Sequence, residues 1–249
     1  MEKTENKNRF GLIGKNIDYS FSRAYFTQKF KDLKLDDYYY ENFDFQNIDE
    51  LNTVLKHEKN IKGFNVTIPY KEAVIPFLSE IDEVAKEIGA INTIKFTANG
   101  LKGFNTDYYG FQKSIEPFIK KHHKNALILG TGGASKAVAY VLKELGMHYN
   151  FVSRNPKKGE FSYIDLNQEH LQKHTVIVNC TPLGTYPEIE RKPNIPYQFI
   201  SKQHLLFDLI YNPEKTAFLK AGEVNGAQIK NGDKMLELQA EKAWEIWNS

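Results

Sequence analysis

The run Asn65-Val66-Thr67-Ile68-Pro69-Tyr70-Lys71 closes an apolar-alternating stretch (Ile61, Phe64, Val66, Ile68) with a proline, and a helix-like segment follows. Proline is favoured at the first helical position, where its missing N–H costs nothing. The pattern therefore predicts a helix over 71–77 with Lys71 in its first turn, where the macrodipole disfavours a cation. A lysine there either escapes to solvent or is held for proton transfer, with the dipole favouring its neutral amine. Other polar groups punctuate the first half. Ser20 and Ser22 lie in a loop before a predicted helix, where hydroxyls and backbone N–H groups could bind a carboxylate, although capping alone explains Ser22. Thr67 ends a predicted strand, Asn92 begins one, and Asp107 in Asn105-Thr106-Asp107 could simply cap a helix.

A second kind of chemistry is written in Leu127-Ile128-Leu129-Gly130-Thr131-Gly132-Gly133-Ala134-Ser135, a buried-type strand running through glycines into a helix. Gly130 permits the tight turn, Gly132 lets backbone approach a pyrophosphate, and the N–H groups opening the helix bind its charge. Ser135 stands where G-x-G-x-x-G has its third glycine; its small hydroxyl still allows close packing. A glycine turn in an α/β domain without a nucleotide has the same spacing, so strand and helix context carry the reading. NAD-binding lobes place an acid about 20 residues further on, to hold the ribose 2′-OH. Here the next strand ends Ser153-Arg154-Asn155-Pro156-Lys157-Lys158, with cations and no carboxylate. Arg154 can pair with a 2′-phosphate and Lys157 or Lys158 can add charge, which favours NADP over a merely solvated basic turn.

These groups need elements to position them. Hydrophobic patterning predicts strand 10–13, helix 24–33, strand 38–43, helix 48–55, strand 63–68, helix 71–77, a short helix 84–88 and a hairpin, 92–96 with 101–104. Asn99-Gly100 suits a type I′ hairpin turn. After a connecting helix over 108–118 comes a second series: strand 126–129, helix 134–145, strands 149–153, 176–179 and 205–209, helix 213–221, strand 227–230 and a C-terminal helix from about 233. The alternation predicts an α/β protein of two open-sheet lobes with a ligand cleft between them. The N-terminal lobe would be 1–107, completed by the helix 233–249, and the Rossmann-like lobe 108–232.

The 249 residues, 41% hydrophobic and 26% charged with net charge +2, fit a soluble protein and give no nucleic-acid footprint. The single cysteine, Cys180, sits beside the apolar run Val176-Ile177-Val178 and supports no disulfide framework. Residues 1–8 lack the apolar core of a signal peptide, and no run approaches the roughly 20 apolar residues that span a bilayer. A cytosolic protein is expected.

Taken together, Ser20-Phe21-Ser22, the Asn65–Lys71 run, Gly89-Ala90-Ile91-Asn92-Thr93, Asn105-Thr106-Asp107, the glycine loop and Ser153-Arg154-Asn155 closely resemble the shikimate dehydrogenase family. The likeness continues in the same order through Asn179-Cys180-Thr181-Pro182-Leu183-Gly184, Asp208-Leu209-Ile210-Tyr211 and the segment from Asn231-Gly232 to Gln239. It implies NADP-dependent reduction of 3-dehydroshikimate to shikimate, in aromatic amino-acid biosynthesis. It further implies that Ser20 and Ser22 hold the substrate carboxylate, and that Thr67, Asn92, Asp107 and Gln239 bind ring hydroxyls. Lys71 with Asp107 would form the catalytic pair, with Tyr211 close to substrate. Gly130, Thr131, Gly132, Gly133, Ala134, Ser153, Arg154, Asn155, Lys157, Lys158, Leu209 and Gly232 would contact the cofactor. No metal, nucleic-acid or membrane partner is implied, and the enzyme would be a monomer or homodimer. Two positions depart from the family pattern: Tyr19 replaces the usual His and Arg23 the usual Pro. A quinate/shikimate dehydrogenase of broader specificity and a non-catalytic NADP-binding regulator are the competing readings, the latter disfavoured by the presence of both Lys71 and Asp107.

Overall fold

The computed structural model describes residues 8–18 and 20–249; Tyr19 lies outside the described residues. They form two compact units, one running to Thr106 and taking in Ala240–Ser249, the other Asp107–Gln239. The first unit contains β1 (Asn8–Gly14), α1 (Phe21–Asp32), β2 (Tyr38–Asp44), α2 (Glu50–His57), β3 (Ile61–Val66), β4 (Glu80–Ile81), α3 (Glu83–Ile88), β5 (Thr93–Thr97) and β6 (Gly100–Phe104). Its sheet order is β2-β1-β3-β5-β6-β4, with β1 parallel to β2 and β3, and β5 antiparallel to β3 and β6. Alternation along β1 supplies both faces: Phe10 and Leu12 join a core with Phe26, Phe30, Tyr40 and Trp247, while Ile13 joins another with Phe64 and Val66.

The second unit contains α4 (Asp107–Ile115), β7 (Asn125–Leu129), α5 (Gly133–Glu144), β8 (His148–Ser153), β9 (Phe161–Ser162), α6 (Gln168–Lys173), β10 (Val176–Asn179), β11 (Leu205–Asp208), α7 (Ala217–Val224), β12 (Gln228–Lys230) and the start of α8 (Asp233–Asn248). All its strand pairs are parallel, in the order β9-β8-β7-β10-β11-β12. β10 is buried throughout, as strands covered on both faces must be. The order reverses between β7 and β10, and at such a switch point open α/β sheets hold their ligands beyond the strand ends.

Helix α8 serves both units, passing from the second to the first after Gln239. Its end is anchored by Trp247, whose indole N–H donates to the Ile94 carbonyl at 3.0 Å. Gly63 makes room for that ring: a Cβ there would sit 2.2 Å from the indole nitrogen.

Three local expectations fail. Residues 68–74 form hydrogen-bonded turns, and only Ile75–Phe77 is helical, as one 3₁₀ turn. Pro69 lies within these turns, after a cis peptide bond, and opens no helix. Pro76 has no N–H for the Glu72 carbonyl and biases Ile75 away from α geometry, so a helix of usable length cannot form between the two prolines. No helix dipole therefore acts on Lys71. In the hairpin, Thr97 pairs with Gly100, so the turn residues are Ala98 and Asn99. Gly100, at φ 113°, spends its freedom as the first residue of β6 and not inside a type I′ turn. The helix expected from 213 begins at Ala217, after the cis Asn212–Pro213 bond, because Thr216 is the residue that caps it, accepting from the Leu219 N–H.

Candidate active site

Within the first unit, one set of hydrogen bonds holds Ser20 and Ser22 at the start of α1, and another holds Thr67, Lys71 and Asn92 around the end of β3. Ser20 caps α1, its hydroxyl accepting from the Ser22 N–H at 3.2 Å. The Thr67 N–H donates to the Ile13 carbonyl at 2.8 Å, and the Thr67 carbonyl accepts from Tyr70 at 2.9 Å. Buried Tyr70 and Val74 fasten the following turns, the Tyr70 hydroxyl donating to the Phe45 carbonyl at 2.7 Å. That leaves Lys71 half-buried, its carbonyl accepting from the Ile91 N–H at 2.7 Å, one residue before Asn92. Asn92 is fixed in turn: its Oδ1 accepts from the Thr106 N–H at 2.6 Å, and its Nδ2 donates to the Thr106 hydroxyl at 3.0 Å. Arg23 is exposed.

Beneath these groups lies a buried polar chain that the sequence reading missed. The Tyr40 hydroxyl donates to Asn65 Oδ1 at 2.8 Å. Asn65 Nδ2 donates to Thr93 Oγ1 at 3.3 Å, and Thr93 Oγ1 donates to Asn92 Oδ1 at 3.1 Å. Burial pushes the Tyr40 phenol upward, so the residue stays protonated. The available signal was Asn65 itself, an amide in the middle of an apolar strand.

In the second unit, Asp107 is buried and opens α4, where a carboxylate is favoured by the helix dipole. One turn on, Gly110 lets α8 approach: a Cβ there would lie 3.2 Å from the Gln239 Cβ and 2.5 Å from the Met235 carbonyl. Asp107 and Gln239 thus sit on neighbouring turns of packed helices. Gly232 abuts Leu209, since a Cβ at 232 would fall 2.2 Å from the Leu209 carbonyl oxygen. Leu209 and Tyr211 follow β11 in a loop pinned by Asp208, which accepts from the Ile210 N–H (3.1 Å), Asn179 Nδ2 (3.0 Å) and the Thr216 hydroxyl (2.6 Å). Desolvation pushes Asp208 up to about 7 against these three bonds. Burial and Asp208 together hold the Cys180 thiol well above its ordinary range, which leaves it unreactive at neutral pH.

The glycine loop fits a dinucleotide. Gly130 takes φ 102°, and Gly132, the cap of α5, has open space where a Cβ would project. The first turn of α5 carries no acid. Ser135 is fully buried and donates to the Gly132 carbonyl at 2.6 Å, packing as the missing third glycine would. Thr131, Gly133 and Ala134 complete the turn and helix start. After β8, Ser153 accepts from the Asn155 N–H at 3.2 Å, and Arg154, Asn155, Lys157 and Lys158 are exposed. One carboxylate lies close by: Glu160 accepts from the Lys157 N–H at 2.9 Å, closing the turn. Among the described residues no His, Cys, Asp and Glu group could hold a metal ion, and no helix is long and apolar enough to cross a membrane.

Residues 12–94 match the family model for the shikimate dehydrogenase substrate-binding domain. Over 248 aligned residues the chain is 39% identical to a Clostridium botulinum NADP⁺ shikimate dehydrogenase, covering 95% of each protein. The Aquifex aeolicus shikimate dehydrogenase structure superposes with a TM-score of 0.85 at 34% identity, over 97% of this chain and 92% of that one. The Thermus thermophilus enzyme, in complex with NADP(H) and shikimate, gives 0.84 at 28% identity, over 96% and 92%. An identity of 39% over 95% of both proteins, with superpositions that take in both sheets, leaves one assignment: the chain belongs to the shikimate dehydrogenase family.

Proposed function

We propose that the protein catalyses the reversible, NADP-dependent interconversion of 3-dehydroshikimate and shikimate, a step of aromatic amino-acid biosynthesis. The observation that carries this reading is the end-to-end likeness to NADP⁺ shikimate dehydrogenases across both units. The first unit is the substrate lobe and the second the NADP lobe.

Each residue role is part of the proposal. Ser20 and Ser22 hold the substrate carboxylate, while Thr67, Asn92, Asp107 and Gln239 take the ring hydroxyls and Tyr211 borders the substrate. The Lys71 ammonium gives its proton to the alkoxide oxygen that develops on the ketone, and its neutral amine takes that proton back in the reverse direction. Asp107 is the second member of the catalytic pair. NADPH, when bound, supplies the hydride. Gly130, Thr131, Gly132, Gly133 and Ala134 would cradle its pyrophosphate; Ser153, Arg154, Asn155, Lys157 and Lys158 its 2′-phosphate; Leu209 and Gly232 would border its other end. The proposal extends to a cytosolic enzyme acting as a monomer or homodimer, which fractionation and size-exclusion chromatography test.

The deciding assay follows NADPH absorbance with shikimate and with quinate, each with NADP and NAD. Fast turnover of shikimate with NADP alone is the expected result. Comparable turnover of quinate would replace the reading with the broader dehydrogenase, and no turnover with either would leave only a binding protein.

A further inference from the structure

We infer that Thr93 is a positioning residue of the substrate site: with the Thr106 N–H it holds Asn92 Oδ1 inward, so that Asn92 meets a substrate hydroxyl only as a hydrogen-bond donor. This deepens the functional reading above and rests on its assignment of Asn92 to a ring hydroxyl.

Which end of a buried amide is oxygen follows from the backbone groups it meets, because an N–H can only donate and a carbonyl can only accept. The Thr106 N–H lies 2.6 Å from one end of the Asn92 amide, so that end is Oδ1. Nδ2 donates to the Thr106 hydroxyl oxygen at 3.0 Å. Asn65 is fixed in the same way at the other end of the chain. Its Nδ2 lies 3.4 Å from the Asn92 carbonyl and 3.3 Å from Thr93 Oγ1, which leaves its Oδ1 to the Tyr40 hydroxyl at 2.8 Å. Thr93 Oγ1 therefore accepts from Asn65 and has one proton to give, which goes to Asn92 Oδ1 at 3.1 Å. Both lone pairs of that oxygen are then taken, one by the Thr106 N–H and one by the Thr93 hydroxyl. Whatever Asn92 offers a ring hydroxyl must come from Nδ2, and the hydroxyl has to accept it. Main-chain bonds fix the backbone of Asn92: its N–H donates to the Phe104 carbonyl at 3.0 Å, and its carbonyl accepts from the Val66 N–H at 2.8 Å. Only the side chain is left to turn, and Thr93 opposes that. Thr93 is itself fully buried, so it acts through Asn92 and not on the substrate.

The test compares Thr93→Val, Thr93→Ser, Asn92→Ala and the double variant Thr93→Val/Asn92→Ala by kcat, shikimate KM and NADP KM. Val keeps the shape and loses the hydroxyl, whereas Ser keeps the hydroxyl; thermal melts verify that each variant is folded. Thr93→Val is expected to raise shikimate KM about two- to tenfold, the worth of one neutral hydrogen bond, with NADP KM close to wild type. Thr93→Ser should restore shikimate KM, and the double variant should be no worse than Asn92→Ala alone. Asn92→Asp reads the polarity whether or not Thr93→Val folds. It exchanges the donor for a second acceptor in the same volume, and should raise shikimate KM at least as much as Asn92→Ala does. A wild-type shikimate KM in Thr93→Val, penalties that multiply in the double variant, or a wild-type KM in Asn92→Asp would overturn the inference. A wild-type KM in Asn92→Ala would instead overturn the hydroxyl assignment, and the positioning role with it.

Discussion

Both units bury polar side chains beneath a sheet, but they satisfy them with different chemistry. In the first, the buried polar side chains are Asn65, Asn92, Thr93, Asn105 and Thr106, joined by the phenol of Tyr40, and none titrates near neutrality. In the second they include Asp107, Asp208, His123, His174 and His204. His123 and His204 are bonded alike: each takes a backbone N–H on Nδ1 (from Lys120 and Ser201) and faces a carbonyl (Gln203 and Leu171) with Nε2. That pattern suits a neutral imidazole, because a proton added at Nδ1 would displace an acceptor. A neutral network gives a scaffold whose geometry is independent of pH. A network of ionisable groups makes the fold itself respond to it.

The largest effect should come from the one place where the first unit needs a proton. Lys71→Ala is expected to lower kcat about 10²–10⁴-fold with little change in shikimate KM, because general acid–base assistance acts in the transition state. A normal kcat with a raised KM would make Lys71 part of the neutral binding frame.

In the second unit, cofactor choice should rest on exposed cations and not on the buried ionisable groups. Replacing Ser153 by Asp and Arg154 by Ala should reduce kcat/KM for NADP about ten- to a hundredfold per lost charge-assisted bond, and open the site to NAD. Near-equal wild-type values for the two cofactors would show the basic turn to be a solvated loop.

Asn65→Leu tests the neutral scaffold directly. It strands the Tyr40 hydroxyl, at about 1–3 kcal/mol for the buried group left unpaired, and takes one of its partners from Thr93 Oγ1. Denaturant titrations should give the same loss at pH 5 and pH 8. A loss that varied with pH would place a titrating group in the network.

The smallest effects should be pH slopes confined to the second unit. Burial holds His123, His174 and His204 below the ordinary histidine value of 6.5. The unfolded chain then binds protons more readily, so their contribution to stability is present above that pH and drains away as pH falls through the depressed folded values. Asp208 runs the other way. Its pKa is raised from 3.8 to about 7, so its contribution is present below 3.8 and lost as pH rises through about 7. Asp208→Asn should remove that falling slope and leave the histidine slope intact. Hydrogen exchange resolved by peptide should show acid-induced opening in 107–239 before 8–106; simultaneous opening would erase the contrast.

How much of this was legible depended on the range of the interaction. Buried runs such as Ala126–Leu129 and Val176–Asn179 announce parallel strands locally, and Gly130 and Gly132 announce the turn between strand and helix. Short-range reading fails where two prolines compete: Pro69 reads as a helix start although Pro76 forbids the helix. It also passed over β9, α6 and β4, each too short to show a period. The Tyr40–Asn65–Thr93–Asn92 chain joins segments far apart in sequence, and no local pattern marks Tyr40 among Tyr38, Tyr39 and Tyr40. The candidate residues themselves were recognisable from motifs, whereas what holds them is visible only in three dimensions.

The division of α8 between the units has a consequence for synthesis on the ribosome. Domains generally fold in the order in which they emerge, N-terminal first. Here the second unit is one uninterrupted stretch, 107–239, while the first lacks residues 240–249, and with them Trp247 over Gly63, until translation has passed the whole of the second. The segment made first is therefore the one completed last. Its exposed aromatic face, Phe10, Phe26 and Phe30, must be shielded from aggregation for as long as the ribosome takes to make the nucleotide-binding unit.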